Sequence, residues 1–78
     1  MMEQIIVTAV NKYSNRYITF HDLDEITDTL DYDEILDCVL RYYYYFLGVP
    51  KENFSLIKDC IEKFYKLYPK TIEEVLAP

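Results

Sequence analysis

The sequence predicts an all-α protein, and three observations lead to this prediction. The 78-residue chain contains one glycine and three prolines, which leaves little material for hairpins or long loops. Apolar residues recur at intervals of three and four along most of the chain, the period of a helix with one buried face. Carboxylate or hydroxyl side chains precede several of these stretches, where helix N-caps lie. We expect a single domain over residues 1–78, built as a small bundle of four helices plus a short C-terminal helical turn.

The first predicted helix covers residues 2–13. Its apolar positions 2, 6, 9, 10 and 13 share one helical face. The β-branched run at residues 5–8 is equally typical of a strand, so residues 4–10 stay open between helix and strand. A helix is favoured because no other segment of the chain offers this strand a convincing partner.

The second predicted helix covers residues 20–30. Its apolar side chains recur at helical spacing, and acidic side chains occupy the other faces. Thr19 and Asp22 have the spacing of a capping box, in which the Thr hydroxyl caps the helix and the acidic side chain bonds back. These two residues predict where the helix begins.

The third and fourth predicted helices, 32–47 and 51–68, form an antiparallel hairpin because only three residues separate them. Asp31 and Glu34 have the pattern of a second capping box at the start of the third helix. Gly48 fits the position that follows a helix C-terminus, and Pro50 fits the first turn of the next helix.

The fourth helix has the clearest apolar stripe of the chain, with spacings of three and four from Phe54 to Tyr68. Pro69 predicts its end. Thr71 and Glu74 then have the pattern of a third capping box, for a terminal turn over residues 72–77.

Negative charge is concentrated in one stretch of the sequence. Residues 17–40 contain no lysine or arginine and eight carboxylates, namely Asp22, Asp24, Glu25, Asp28, Asp31, Asp33, Glu34 and Asp37. Residues 1–41 carry a net charge of −6 and residues 42–78 carry none. Such a charge opposes binding to nucleic acid or to an anionic membrane and favours a basic partner.

Patterns of catalysis or metal binding are missing from the sequence. His21 is the single histidine, and Cys38 and Cys60 lie on apolar faces, where we expect both thiols to be buried and the thiolate to be disfavoured. The aspartates from Asp22 onward lack the glycine that a calcium loop needs at its sixth position, where Thr27 stands. We therefore expect no enzyme activity, no metal and no cofactor.

Direct contact with DNA and insertion into a membrane are both disfavoured. Helices 20–30 and 32–47 have the outline of a helix-turn-helix, but the second helix presents acidic residues where recognition needs cationic ones. No segment approaches the roughly 20 apolar residues of a membrane span. Glu3 stands where a signal peptide has basic residues. A cytoplasmic location is expected.

An acidic helical surface on a small chain resembles the small phage-encoded DNA mimics that block clamps, nucleases or polymerase subunits. Carboxylates three and four residues apart on a helix can spread toward the spacing of backbone phosphates. This resemblance of size and charge implies an inhibitor that occupies a basic surface or channel of a DNA-processing protein, in the bacterial host cytoplasm if phage-encoded. The same stretch is also typical of a solvated face that only keeps a protein soluble.

The second functional feature is the aromatic block Tyr42–Phe46. Tyr44 and Tyr45 continue the polar face of the third helix, so at least one of them should be exposed in a monomer. We expect this tyrosine to anchor the partner of the acidic surface. The alternative is a structural or assembly protein that self-associates through the Tyr42–Phe46 block as a homodimer.

Overall fold

The computed structural model describes the backbone of residues 2–76 and the side chains of residues 2–65. The described backbone is helical, without strands, so the predicted all-α class is confirmed and residues 4–10 belong to a helix. A π-helix over Tyr42–Phe46 continues the third α-helix, and a 3₁₀ turn over Lys51–Asn53 leads into the fourth. The four α-helices are α1 (Met2–Tyr13), α2 (Leu23–Thr29), α3 (Tyr32–Arg41) and α4 (Phe54–Leu76).

The core lies where α1, α2, α3 and the first half of α4 meet. α1 packs mainly against α3 and also against α2, and α4 packs against α3. The buried apolar residues among those described are Ile6, Ala9, Val10, Phe20, Leu23, Ile26, Leu30, Ile35, Cys38, Val39 and Ile61. Among the described side chains of α4, Ile61 is the buried one, and Ile57, Phe64 and Tyr65 pack against the core while partly buried.

α2 begins three residues later than the sequence predicts. Asp22 is its N-cap, with extended backbone and an Oδ1 that accepts the Glu25 N–H at 3.0 Å. The predicted cap at Thr19 is therefore wrong. The reason is a non-local constraint: the Asn11 side chain accepts the Phe20 N–H at 2.8 Å and donates to the Phe20 carbonyl at 2.9 Å. In a helix that begins at residue 20, the Phe20 carbonyl would accept an intrahelical bond and the Phe20 N–H would have no intrahelical partner. The Asn11 side chain bonds to both groups and holds Phe20 in the segment before α2.

At the start of α3, the predicted N-cap Asp31 is observed, but the predicted return bond from Glu34 is not. Asp31 is the N-cap, and its Oδ1 accepts the Glu34 N–H at 2.9 Å. The Glu34 carboxylate does not bond back to the cap, because its Oε2 accepts a hydrogen bond from Arg16 at 2.8 Å. The predicted second capping box is thus only half formed.

The third predicted helix, 32–47, changes its geometry at the aromatic block. Beyond Arg41 the backbone widens into a π-helix, and the Leu47 N–H donates to the Tyr42 carbonyl at 3.2 Å, five residues back. Gly48 follows with a φ of +72°, the left-handed conformation that glycine adopts without strain. π-Helical turns are rare and alter the direction of every side chain after them.

Two ring contacts join the third and fourth helical segments. Tyr32 and Tyr65 lie 5.1 Å apart between ring centroids, in an edge-to-face arrangement. Near the connecting turn, Tyr44 and Phe54 lie 6.0 Å apart in a similar arrangement. Tyr32, at the start of α3, thus contacts a residue further along α4, whereas Tyr44, beyond the end of α3, contacts the first residue of α4.

The predicted stop at Pro69 is wrong, because α4 is one continuous helix over Phe54–Leu76. There is accordingly no separate turn preceded by a cap at Thr71, and Ala77 of that predicted turn lies outside the described residues. A proline removes one backbone donor and crowds the preceding turn, but the hydrogen bonds on either side can carry a helix through it, often with a kink.

Shortening Ile61 should weaken the whole fold. We expect Ile61→Ala to lower the free energy of unfolding by about 2–5 kcal/mol, because it opens a cavity at the single buried residue of α4 among those described. Urea denaturation followed by circular dichroism measures this loss. Leu56→Ala on the same helix is the matched control, because Leu56 is 65% exposed and should change stability by less than about 0.5 kcal/mol. Equal losses in both variants would contradict this account of α4 packing.

Candidate protein-binding surface

Three of the eight carboxylates bond to the backbone around the first turns of helices. Asp22 and Asp31 cap α2 and α3, and the Glu25 carboxylate accepts the His21 N–H at 3.1 Å. All three side chains are exposed, yet their charge is partly balanced by the positive end of the helix dipole beside them. Their first role is to fix where α2 and α3 begin.

Two further carboxylates form ion pairs within the chain. Glu34 pairs with Arg16 at 2.8 Å, and Asp37 pairs with Arg41 one helical turn later at 3.1 Å. Residues of the second pair are four apart, a spacing that brings opposite charges together on any helix. Both pairs are about half exposed and contribute little to stability, but they neutralise charge locally.

Asp24, Asp28 and Asp33 are the remaining carboxylates of the acidic stretch. All three are exposed, and none forms a hydrogen bond or ion pair through its carboxylate with any side chain that the structure describes. Asp24 and Asp28 are four residues apart on α2, which places their Cβ atoms about 5–6 Å apart on one face. We call these three residues the free carboxylates.

The predicted tyrosine anchors lie in a groove with one carboxylate of the acidic stretch. Tyr44 is 37% exposed and Tyr45 is 70% exposed. The groove has a volume of about 370 Å³ and runs between the end of α3 and the start of α4; it is lined by Asp37, Leu40, Arg41, Tyr44, Tyr45, Lys51 and Phe54. Asp37 therefore connects the acidic stretch to the tyrosines, and we call this feature the aromatic groove.

Lysine side chains cover two of the rings around the aromatic groove. The Lys51 ammonium lies 5.2 Å from the centre of the Tyr44 ring, and the Lys12 ammonium lies 5.0 Å from the centre of the Phe46 ring. Both distances fit cation–π contacts. Phe46 and the following Leu47 are themselves 58% and 49% exposed. Neither lysine was predicted from the sequence, because Lys12 on α1 and Lys51 in the 3₁₀ turn come close to these rings only in the folded chain.

The two thiols differ in their environment, so the expectation that both are buried holds for one of them. Cys38 is buried in the core, where loss of solvation raises the pKa of its thiol and neighbouring Asp37 raises it further. Cys60 is exposed. A raised pKa keeps Cys38 in the thiol form, which is a poor nucleophile.

His21 lies in an open depression with Glu3, Gln4, Val7 and Thr8 along its wall. Among the residues that the structure describes, no three His, Cys, Asp or Glu side chains are grouped closely enough to hold a metal ion. Over the same described residues, no helix is both long enough and apolar enough to cross a membrane.

An uncharacterized protein of the archaeon Methanocaldococcus jannaschii is 38% identical to the chain over 66 residues. The match covers 83% of this chain and 17% of that relative, so the chain spans only a small part of the relative's length. No known protein-family profile matches the chain, and no solved structure is significantly similar to it.

Three tyrosines next to the site or the core have raised pKa values. Burial raises the pKa of Tyr32 above its ordinary value of 10.0, and the carboxylates of Glu62 and Asp33 raise it further. Burial is also the main cause for Tyr43 and Tyr65. The folded chain therefore keeps these phenols protonated at a pH at which the unfolded chain ionises them.

This difference predicts a loss of stability in alkali. Below about pH 10 both states are protonated; as the pH rises further, the unfolded state loses protons first and unfolding is favoured. We expect Tyr32→Phe to reduce the fall in urea midpoint between about pH 8 and about pH 10.5. Tyr17→Phe is the control, because Tyr17 is fully exposed, and it should leave that fall unchanged. The same fall in both variants would exclude Tyr32 as a cause.

Proposed function

We propose that the chain is a small acidic protein-binding module that acts without catalysis on a basic partner surface. The observation that carries this proposal is the set of free carboxylates. Five of the eight acids in residues 17–40 bond to the chain itself, whereas Asp24, Asp28 and Asp33 are exposed and have no partner among the described side chains. Charges that no described side chain neutralises are available to a binding partner.

The arrangement of these charges supports one kind of partner. The free carboxylates lie on α2 and α3, and anions held on a folded scaffold can replace the phosphates that a DNA-binding channel accommodates. We therefore propose a DNA-processing protein as the partner and charge mimicry of DNA as the mode of inhibition. The net charge of −6 on 78 residues would speed the approach to such a surface.

The aromatic groove would add an apolar anchor to this contact. Tyr45 projects with 70% of its surface exposed, in the groove that also holds Asp37. Tyrosine suits this role because a large ring is buried at a small cost in side-chain entropy and its hydroxyl can keep a hydrogen bond. In this proposal the free carboxylates would steer the partner and the ring would slow its release.

Neutralising the free carboxylates should abolish capture of a basic partner. In affinity capture from cell lysate at low salt, with mass spectrometry, we expect a DNA-processing protein that elutes with a modest salt step and is competed by duplex DNA. The triple variant Asp24→Asn, Asp28→Asn and Asp33→Asn should lose it, because the attraction at low salt comes from exposed charges. Helicity should change little, because none of the three acids caps a helix and Asp24 and Asp33 support the first turns of α2 and α3 only through the helix dipole.

A matched control removes the same amount of charge elsewhere. Glu3→Gln, Glu52→Gln and Asp59→Asn together neutralise three exposed acids outside the acidic stretch and should keep most of the binding. Equal losses in the two triple variants would mean that net charge alone matters and would refute a specific surface. Binding that resists both high salt and duplex DNA would refute the mimicry of DNA.

A second candidate function is structural assembly through the Tyr42–Phe46 segment. It is supported by the exposure of this end of the molecule, where Tyr45, Phe46 and Leu47 each show about half or more of their surface. Contiguous exposed apolar side chains are uncommon on a monomer and are typical of interfaces. In this candidate the acidic helices would face solvent.

Sedimentation distinguishes assembly from binding to a basic partner. Assembly predicts a self-associated chain that becomes monomeric in the double variant Tyr44→Ala and Tyr45→Ala, because the variant loses the rings that the contact would bury. Tyr17→Ala is the control, since Tyr17 is fully exposed and lies outside the segment. A wild-type chain that stays monomeric at high concentration would exclude assembly and leave the first proposal intact.

A further inference from the structure

The aromatic groove contains charges of both signs between its rings. Its lining includes one acidic residue, Asp37, and two basic residues, Arg41 and Lys51. A wholly acidic partner would meet the Asp37 carboxylate, and a wholly basic partner would meet Arg41 and Lys51. A surface that carries both signs is best matched by a surface that also carries both signs.

Asp37 and Lys51 each have unused capacity for a salt bridge. The Asp37 Oδ2 atom accepts from the Arg41 Nε atom at 3.1 Å, which leaves Oδ1 without a partner among the described residues. A carboxylate oxygen of this kind can accept further hydrogen bonds. The Lys51 ammonium lies over the Tyr44 ring and forms no ion pair with a described carboxylate.

A two-fold axis would bring these two groups together twice. In an isologous contact the same patch on both copies faces itself, so residue i meets residue j and residue j meets residue i. A patch with one open carboxylate and one open ammonium is self-complementary under this operation. The exposed ring of Tyr45 and the side chains of Phe46 and Leu47 beside it would supply the apolar part of such an interface.

We propose that the occupant of the aromatic groove is a second copy of this chain, related by a two-fold axis, with Asp37 of each copy paired to Lys51 of the other. The proposal deepens the assembly candidate and rests on self-association through the Tyr42–Phe46 segment. Arg41 stays on its own Asp37 and holds that carboxylate in place. The two cross-pairs set the register of the dimer, and the rings supply most of its buried area.

Charge reversal with mixing tests this register. Asp37→Lys places two like-charged lysine pairs across the axis, and Lys51→Glu places two like-charged carboxylate pairs there. Each variant alone should therefore dissociate at concentrations at which the wild type is dimeric, with affinity lowered about tenfold or more. In an equimolar mixture, each cross-pair of the mixed dimer joins opposite charges, so sedimentation equilibrium should show association restored.

Further variants test whether a loss of association comes from the Asp37–Lys51 pairs or from a change in folding or in net charge. The single chain that carries both Asp37→Lys and Lys51→Glu has its pairs exchanged and should dimerise with itself. Asp59→Lys and Lys58→Glu make the same charge changes at exposed positions of α4 outside the groove lining and should leave association unchanged. Circular dichroism checks that every variant keeps its helicity.

The outcomes that overturn the proposal are distinct from one another. A monomeric wild type removes both the dimer and the assembly candidate. Association that persists in each single reversal, yet is lost in the Tyr44→Ala and Tyr45→Ala variant, keeps assembly and refutes the Asp37–Lys51 register. Dissociation of both reversals without restoration in the mixture refutes the two-fold arrangement.

Discussion

Two hydrogen bonds between the Asn11 side chain and the backbone of Phe20 determine how the acidic half of the molecule is organised. They join the last turn of α1 to the segment before α2 and hold the Phe20 backbone in place while its ring is buried in the core. A backbone held in this way cannot continue a helix, so α2 starts at Leu23 with Asp22 as its cap. The cap in turn fixes which acids lie beside the helix terminus and which point away from it.

Which carboxylates bond within the chain and which stay without a described partner therefore depends on folding and is not a property of composition. If α2 began at Phe20, Asp22 would lie within its first turn and would not cap it. With the observed start, Asp24 and Asp28 carry charge that no described side chain offsets. A second long-range contact also reduces the number of unpaired acids. Arg16, in the loop that follows α1, forms an ion pair with Glu34 and neutralises one acid of α3. The number of carboxylates available to a partner is set by these long-range contacts.

Local spacing accounts for what could be predicted from the sequence. The helical period, the Asp31 cap and the pairing of Asp37 with Arg41 each depend on residues three or four apart, which meet in any helix. The cap at Thr19 was a wrong prediction because Asn11, nine residues before Phe20, competes for that backbone. Sequence periodicity also does not show that the aromatic block forms a π-helix, since α and π turns bury similar stripes over so short a length.

The candidate surface was predictable in part, for the same physical reason. Tyr44 and Tyr45 were identified from their place on the polar face of α3, whereas Lys12 and Lys51 reach the rings from other elements of the chain. These cations change the character of the surface, because they add positive charge beside exposed aromatic rings of an acidic protein.

This charge distribution separates the two modes of binding. Contact with a basic channel would draw on Asp24, Asp28 and Asp33, which lie outside the lining of the aromatic groove. The proposed self-association would draw on Asp37 and Lys51, whose opposite charges cancel within the pair and add little to long-range attraction. The first mode should therefore weaken steeply with salt, whereas the second is held mainly by buried rings and should depend on salt only through its two ion pairs. Both modes would bury Tyr45, but they would use different charged side chains, so charge mutations can remove one mode and preserve the other.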